Sequence, residues 1–165
     1  MQNKALTREI QALISIAAKL IRGAMDVRLA SREVGITALQ YGILQIIRKG
    51  PQTMTEISRV QMIDPSTVVP AVDSLERKGL ARRMKDPQDR RRTPLKITKA
   101  GQELLMQNPM LDEEDTLVKA LAQMNSAHQE QLLDLLRELV GNIQGEDSVQ
   151  MLTSIIQKEI NGSEK

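Results

Sequence analysis

Residues 53–99 constrain this chain more than any other stretch, because their punctuation admits few arrangements. Thr53 followed three residues later by Glu56 is a capping box, in which hydroxyl and carboxylate satisfy the orphan N–H groups of a new helix. The spacing predicts that helix to about Gln61, with Ile57 and Val60 turned inward. Asp64-Pro65 then opens a second helix, with aspartate as N-cap and proline at the first helical position, where a missing N–H is no loss. Val68, Val72 and Leu75 recur at i, i+4 and i+7 and define its buried stripe. The opposite face carries Ser66, Pro70, Asp73 and Arg77, flanked by Thr67. Gly79 stops the helix, and Arg77 and Lys78 suit the negative end of its dipole. Leu80–Lys85 and Pro94–Thr98 read as short strands; Leu95 and Ile97 alternate with Lys96 and Thr98, so one face is buried and one wet. The stretch between them, Asp86 to Thr93, is too long for a tight hairpin and is expected to stand away from the body as a wing.

Two short helices, a tight turn and an arginine-tipped hairpin make a winged helix-turn-helix, a shape suited to gripping duplex DNA. Charge supports this. The 165 residues carry a net charge of only +2, unevenly spread. Residues 77–99 hold ten Lys/Arg and two acids, whereas residues 100–165 hold four basic and twelve acidic residues. A basic stripe confined to a hairpin and its flank is the footprint of a phosphate-binding surface, and the acidic tail should keep away from DNA.

The rest of the chain reads as helices around that unit. Residues 4–32 form a long amphipathic helix in which Leu6, Ile10, Leu13, Ile14, Ala17, Leu20, Ile21 and Met25 fall at spacings of three and four. Such a stripe is either intramolecular core or a dimer surface; the second suits a protein that reads two half-sites with two subunits. Thr37 caps the next helix, about 38–49, which Gly50-Pro51 ends. Tyr41, the sole aromatic, is expected as a packed ring with a satisfied hydroxyl. After the wing, Thr98-Lys99-Ala100-Gly101 starts a helix that Asn108-Pro109 interrupts, and Asp112–Asp115 reads as a solvated acidic cluster. Ser126 with Gln129 is another capping box, leading into Leu132, Leu133, Leu135, Leu136, Leu139 and Val140. Gly141, Gly145 and Glu146 make a joint, and Asp147 with Gln150 opens a last helix. These helices exceed what a small winged domain needs to cover itself. The expected fold is therefore mainly α with a small β-hairpin wing: an N-terminal dimerisation helix (1–36), a DNA-binding domain (37–100) and C-terminal helices (101–165) completing a dimerisation lobe.

Composition removes other functions. With no cysteine there is no disulfide and no thiol redox sensing, and the one histidine, His128, supplies no zinc site of the usual kind and reads as a surface residue. The nine methionines read as core filler. No nucleophile–base–acid set, phosphate-cradling glycine loop or metal spacing points to an enzyme or a cofactor. Single-stranded DNA or RNA binding lacks the aromatic platforms it needs. With no apolar run long enough to span a bilayer and no signal-peptide h-region, a cytoplasmic protein is expected.

The candidate DNA-binding residues are Thr53, Ser66, Thr67, Pro70 and Arg77 on the helices, and Asp89, Arg90, Arg91 and Arg92 on the wing. Ser66 and Thr67 either cap the helix start without base contact or face DNA beside helix-terminal amides that suit a phosphate. Asp73 with Arg77 reads as an i,i+4 surface pair. Arginine suits the wing tip because a narrow minor groove concentrates negative potential and guanidinium sheds its hydration easily.

The ordered string Asp64-Pro65-Ser66-Thr67-Val68, Leu75-Glu76-Arg77-Lys78-Gly79-Leu80, Arg83, Asp86-Pro87-Gln88-Asp89-Arg90-Arg91 and Ile97-Thr98-Lys99-Ala100-Gly101 resembles the MarR family of bacterial and archaeal transcription regulators. The layout matches along about 4–145. The resemblance implies a triangular homodimer whose terminal helices pair, with the second helix of the motif in the major groove. It implies Arg91 in the adjacent minor groove with Asp89 as its orienting partner and Arg90 nearby, and Ser66 and Thr67 at base and phosphate contacts. It further implies release from DNA by a small phenolic or anionic effector bound between the helical lobe and the DNA-binding unit. In a chain so poor in aromatics that pocket would be aliphatic with a few polar groups, Tyr41 among the candidates. Two departures from the family pattern stand out: members often carry an arginine around positions 69–70, where this chain has Val69 and Pro70, and Gln88 stands where one wing variant has arginine. The expected function is a dimeric, sequence-specific regulator of transcription, a ligand-responsive repressor. The alternative is a winged-helix interaction or architectural module without strong sequence specificity.

Overall fold

In a computed structural model, residues 3–85 and 92–144 are described. The order is α1 (Lys4–Ser31), α2 (Ala38–Arg48), α3 (Met54–Gln61), α4 (Pro65–Arg77), β1 (Ala81–Arg83), β2 (Leu95–Ile97), α5 (Lys99–Gln107), α6 (Thr116–Ala122) and α7 (Ser126–Gln144). The chain divides into two compact units, residues 1–118 and 119–165.

The first unit holds the core. Thr37 and Gln40 close a capping box at the start of α2, the hydroxyl accepting from the Gln40 N–H at 3.2 Å and the amide oxygen accepting from the Thr37 N–H at 3.1 Å. That fixes the roll of α2, whose Tyr41, Ile43, Leu44 and Ile47 are buried against Ile57 of α3 and Val68, Val72 and Leu75 of α4. Beneath the hairpin the same cluster continues through Leu80, Ala81, Leu95, Ile97 and Leu105. The Tyr41 ring is packed as expected: its hydroxyl donates to the Asn108 carbonyl at 2.6 Å and accepts from Gln45 Nε2 at 3.0 Å. Burial pushes the phenol up from its ordinary pKa.

Strands β1 and β2 pair antiparallel with Ala81 opposite Ile97, Arg82 opposite Lys96 and Arg83 opposite Leu95. Gln52, just before α3, adds an isolated bridge to Leu95, so the start of the motif is stitched to its hairpin. The strands are shorter than their alternation suggested. Their ends nearest the wing lack enough ladder bonds to count as strand, although the Met84 N–H still donates to the Pro94 carbonyl at 2.8 Å. Thr98 caps α5 through the Gly101 N–H, and Gly101 is there because α5 runs over the backbone of Leu80. A Cβ at Gly101 would meet the Leu80 carbonyl oxygen and, at 2.8 Å, Ile97 Cγ1.

Several expectations are overturned. Val60 is exposed, because α3 turns Met54, Ile57, Ser58 and Gln61 inward, and Gln61 lies over the bare Cα of Gly42. That inner face also follows an i, i+3, i+4, i+7 spacing, but two of its four members are polar, so apolar periodicity alone picked the wrong residue. The 112–115 stretch is a solvated cluster only in part: Glu113 and Glu114 are exposed, but Asp112 and Asp115 are not. Asp112 accepts from Arg28 Nη1 at 2.6 Å and Arg32 Nη2 at 2.8 Å, and Asp115 lies 3.4 Å from Arg28. The second Arg28 nitrogen donates to the Met110 carbonyl at 2.7 Å, so the last turns of α1 hold the loop after α5. Long-range pairing with a helix 80 residues away carries no local signature. Asp115 then caps α6, accepting from the Leu117 N–H at 2.9 Å.

In the second unit the cap of α7 is Asn125, not Ser126: its side chain accepts from the His128 N–H at 2.8 Å. Gln129 instead donates back to the carbonyls of Leu121 and Met124. His128 is exposed, as expected. Gly141 lies inside α7 rather than in a joint; Gly145, Glu146 and the helix expected from Asp147 fall outside the described residues.

Candidate nucleic-acid interface

The helix pair is built as its caps predict. Thr53 accepts from the Glu56 N–H, and the Glu56 carboxylate takes both the Thr53 N–H at 2.7 Å and the Thr53 hydroxyl at 2.8 Å. Those hydrogen bonds, the backbone one first, hold the Glu56 carboxyl below its ordinary pKa. Met62, in the left-handed region at φ 51°, makes the turn. Asp64 then accepts from the Ser66 N–H at 2.7 Å; hydrogen bonding by the Ser66 side chain first, and by that N–H second, lowers its pKa, and Pro65 occupies the first turn of α4. The helix ends at Gly79, whose φ of 70° a side chain would resist.

With Val68, Val72 and Leu75 fully buried, the opposite side of α4 is fixed. At about 100° per residue, Ser66, Pro70 and Arg77 lie along its outermost line, with Val69 on one flank and Thr67 on the other. All five are exposed. The helix is clamped to the hairpin by Arg83, which donates from one guanidinium nitrogen to Asp73 at 2.8 Å and from the other to Glu76, while its backbone N–H also donates to Glu76 at 2.7 Å. The hydrogen bond to Asp73, then the nearby charges, raise the Arg83 pKa further. Asp73 is thus engaged by Arg83 rather than by Arg77, four residues along its own helix. The hairpin brings Arg83 up to α4 where an i,i+4 rule sees only the helix.

On the exposed face of the hairpin Arg82 stands directly across the ladder from Lys96. Neither has a carboxylate partner among the described residues, and like charges directly opposite one another are destabilising. A polyanion lying along this face removes that cost, with exposed Arg77 and Lys78 continuing the positive charge toward the end of α4.

The expected site residues fall into four groups. Ser66, Thr67, Pro70 and Arg77 share the exposed side of α4. Thr53 is half-buried and its hydroxyl is engaged in the capping box. Arg92, at the foot of the wing, reaches Glu56 at 3.0 Å, so the same carboxylate joins the start of α3 to the hairpin. Asp89, Arg90 and Arg91 lie outside the described residues. Sequence reasoning missed Arg82 and Lys96 as a facing pair, though strict strand alternation could have found them. It had no means of finding the Arg83 clamp.

A separate cavity of about 380 Å³ lies against α1, lined by Ala24, Val27, Arg28, Ser31 and Arg32 and by Glu114, Asp115 and Thr116. Tyr41 does not line it. Among the described residues no group of His, Cys, Asp and Glu side chains could hold a metal ion, and no helix is long and apolar enough to cross a membrane.

Comparison with known proteins places the fold. Residues 36–93 match the model of the MarR family. A protein of Thauera aromatica, named for transcriptional regulation of the hcr operon, is 35% identical over 109 residues, 64% of this chain. The chain spans 63% of that relative's length. The transcriptional regulator BldR from Sulfolobus solfataricus is 29% identical and superposes with a TM-score of 0.66 over 86% of this chain and 99% of that one. A mutant E. coli MarR, solved with operator DNA, gives a TM-score of 0.72 at 22% identity, covering 84% of this chain and 99% of its own.

Proposed function

The chain belongs to the MarR family, and on that premise we propose that it is a dimeric, sequence-specific double-stranded-DNA-binding regulator of transcription, acting as a ligand-responsive repressor. The observation that carries this reading is the exposed side of α4 set beside a hairpin face where Arg82 opposes Lys96. One surface offers side chains to base edges, the other unneutralised charge to a phosphate backbone. The E. coli relative solved with operator DNA supports the same use of the fold.

Residues 1–36 and the helices after residue 100 supply the dimerisation lobe in this reading. Two copies would set two recognition helices about one helical turn, ~34 Å, apart on a pseudo-palindrome. A small phenolic or anionic effector acts by preferring a dimer geometry in which that spacing no longer fits the groove. Arg91 on the wing takes the adjacent minor groove, with Asp89 as its orienting partner and Arg90 nearby. The protein works in the cytoplasm, where the chromosome is.

Selection from random duplexes, followed by competition, tests the reading. A specific regulator prefers its selected site over random duplex by about a thousandfold or more. Equal affinity for both supports an architectural module instead. Within a specific complex, Arg91→Ala weakens binding and flattens its salt dependence by about one phosphate's worth; an unchanged affinity and slope removes the wing from the mechanism.

A further inference from the structure

The major groove offers a reader two kinds of feature: hydrogen-bonding edges on every base pair, and the C5-methyl group of thymine. The polar edges are read bidentately by Arg, Lys, Asn or Gln. Helix α4 contains none of these from Pro65 to Glu76. Its two acidic side chains in that span, Asp73 and Glu76, are both held by Arg83. What remains exposed in the N-terminal half, the half that meets base edges in helix-turn-helix proteins, is Ser66, Thr67, Val69 and Pro70, together with Pro65 at the helix start.

We propose that α4 reads thymine methyl groups, with Pro70 at the centre of the contact, Val69 on one flank and the γ-methyl of Thr67 on the other. This rests on the reading of the chain as a duplex-DNA-binding regulator. Two facts favour it over an idle surface. Proline inside a helix removes one backbone hydrogen bond and crowds the preceding turn, and Pro70 offsets neither by burial, since it faces outward. Val69 is 41% exposed on a helix whose buried stripe is already complete without it. In a groove lined by polar edges, the complement to such apolar surface is the methyl group. The hydroxyls of Ser66 and Thr67 add hydrogen bonds that every base can accept or donate, so they help affinity more than choice. The ligand class is therefore a half-site whose central bases carry 5-methylpyrimidines.

The test uses the full chain and a duplex recovered by its own selection from random sequence. Each thymine is replaced in turn by uracil, which deletes the methyl and leaves the hydrogen-bonding edge unchanged. Uracil at a contacted position is expected to weaken binding about fourfold, the transfer free energy of one buried carbon, and about fifteenfold when both half-sites are changed. 5-Methylcytosine in place of thymine's neighbouring cytosines strengthens binding where a methyl comes within reach. Pro70→Ala, Val69→Ala and Thr67→Ser, the last keeping its hydroxyl, should each bind the thymine and uracil duplexes alike at the position it reads. The proposal is overturned if uracil at every thymine leaves affinity unchanged in a duplex still preferred over random DNA. It is also overturned if the uracil penalty survives intact in all three variants, which would assign it to DNA stiffness. If no duplex is enriched at all, the regulator reading fails, and this one with it.

Discussion

Helices α1 and α4 carry apolar residues at the same spacing and put them to different uses. In α4 the stripe of Val68, Val72 and Leu75 is fully buried within one chain, and its other side is free for a ligand. In α1 only the last turns join the core, through Leu29 and the partly buried Met25, while Leu13 is 59% and Leu20 64% exposed along the same helix. Leu6, Ile10 and Ile14 are exposed with them. A contiguous apolar face of this length on an isolated chain marks an interaction surface. Apolar periodicity thus tells which side of a helix is covered without telling by which molecule.

The largest effect is expected where that difference is sharpest. If a second copy covers α1, Leu13→Asp combined with Leu20→Asp should abolish association and bring the sedimenting mass to the 18.5 kDa of one chain. The spectrum of the core helices should be retained, because neither residue is part of the core cluster. A wild-type protein already sedimenting at that mass would refute the self-pairing of α1. Leu75→Ala tests the other helix. It deletes a fully buried side chain and should destabilise the fold by about 3 kcal/mol in urea titrations whatever the protein concentration.

Gly101→Ala comes next, at about 2 kcal/mol, since the new methyl must push α5 off the Leu80 carbonyl and Ile97. A loss below a few tenths of a kcal/mol would mean the helix slides freely and does not brace the hairpin.

Much of the winged unit was legible because its signals are local. The boxes at Thr53 and Glu56, Asp64-Pro65 and Gly79 each act within one turn of chain, and each is formed as the spacing predicts. What escaped is what depends on distant partners. Nothing near Asp112 announces Arg28, and nothing near Asp73 announces Arg83. The Asn125 cap shows a milder failure, where two adjacent residues could each cap and the turn geometry chose the first.

The Arg28–Asp112 network makes the third prediction of stability and fixes where α1 leaves the core. Burial alone would raise the Asp112 carboxyl. The hydrogen bond from Arg32, with the charges of Arg28 and Arg32, outweighs it and leaves the pKa below the ordinary value. A depressed folded-state pKa contributes stability that is fully present above the unfolded value near 4 and is lost as pH falls through the folded value. Urea midpoints of wild type and Asp112→Asn should therefore differ at about pH 6 and converge toward about pH 3. A difference that stays constant would show that the carboxylate's charge is not what holds the loop to α1.

Val60 supplies the smallest effect and the finest test of the comparison. It was expected inward with Ile57, yet it is 50% exposed while Ser58 takes a buried place on α3. Ile57 belongs to the same core as the α4 stripe, whereas Val60 resembles the α1 face in exposure without being part of a long apolar surface. A lone exposed valine needs no partner. Val60→Ser should accordingly shift the urea midpoint by no more than about 0.5 kcal/mol and leave association and DNA affinity unchanged. If instead it weakens association as the α1 substitutions do, the covered surface extends onto α3, and the division between a helix-turn-helix complete in one chain and an α1 face completed by a second would have to be redrawn.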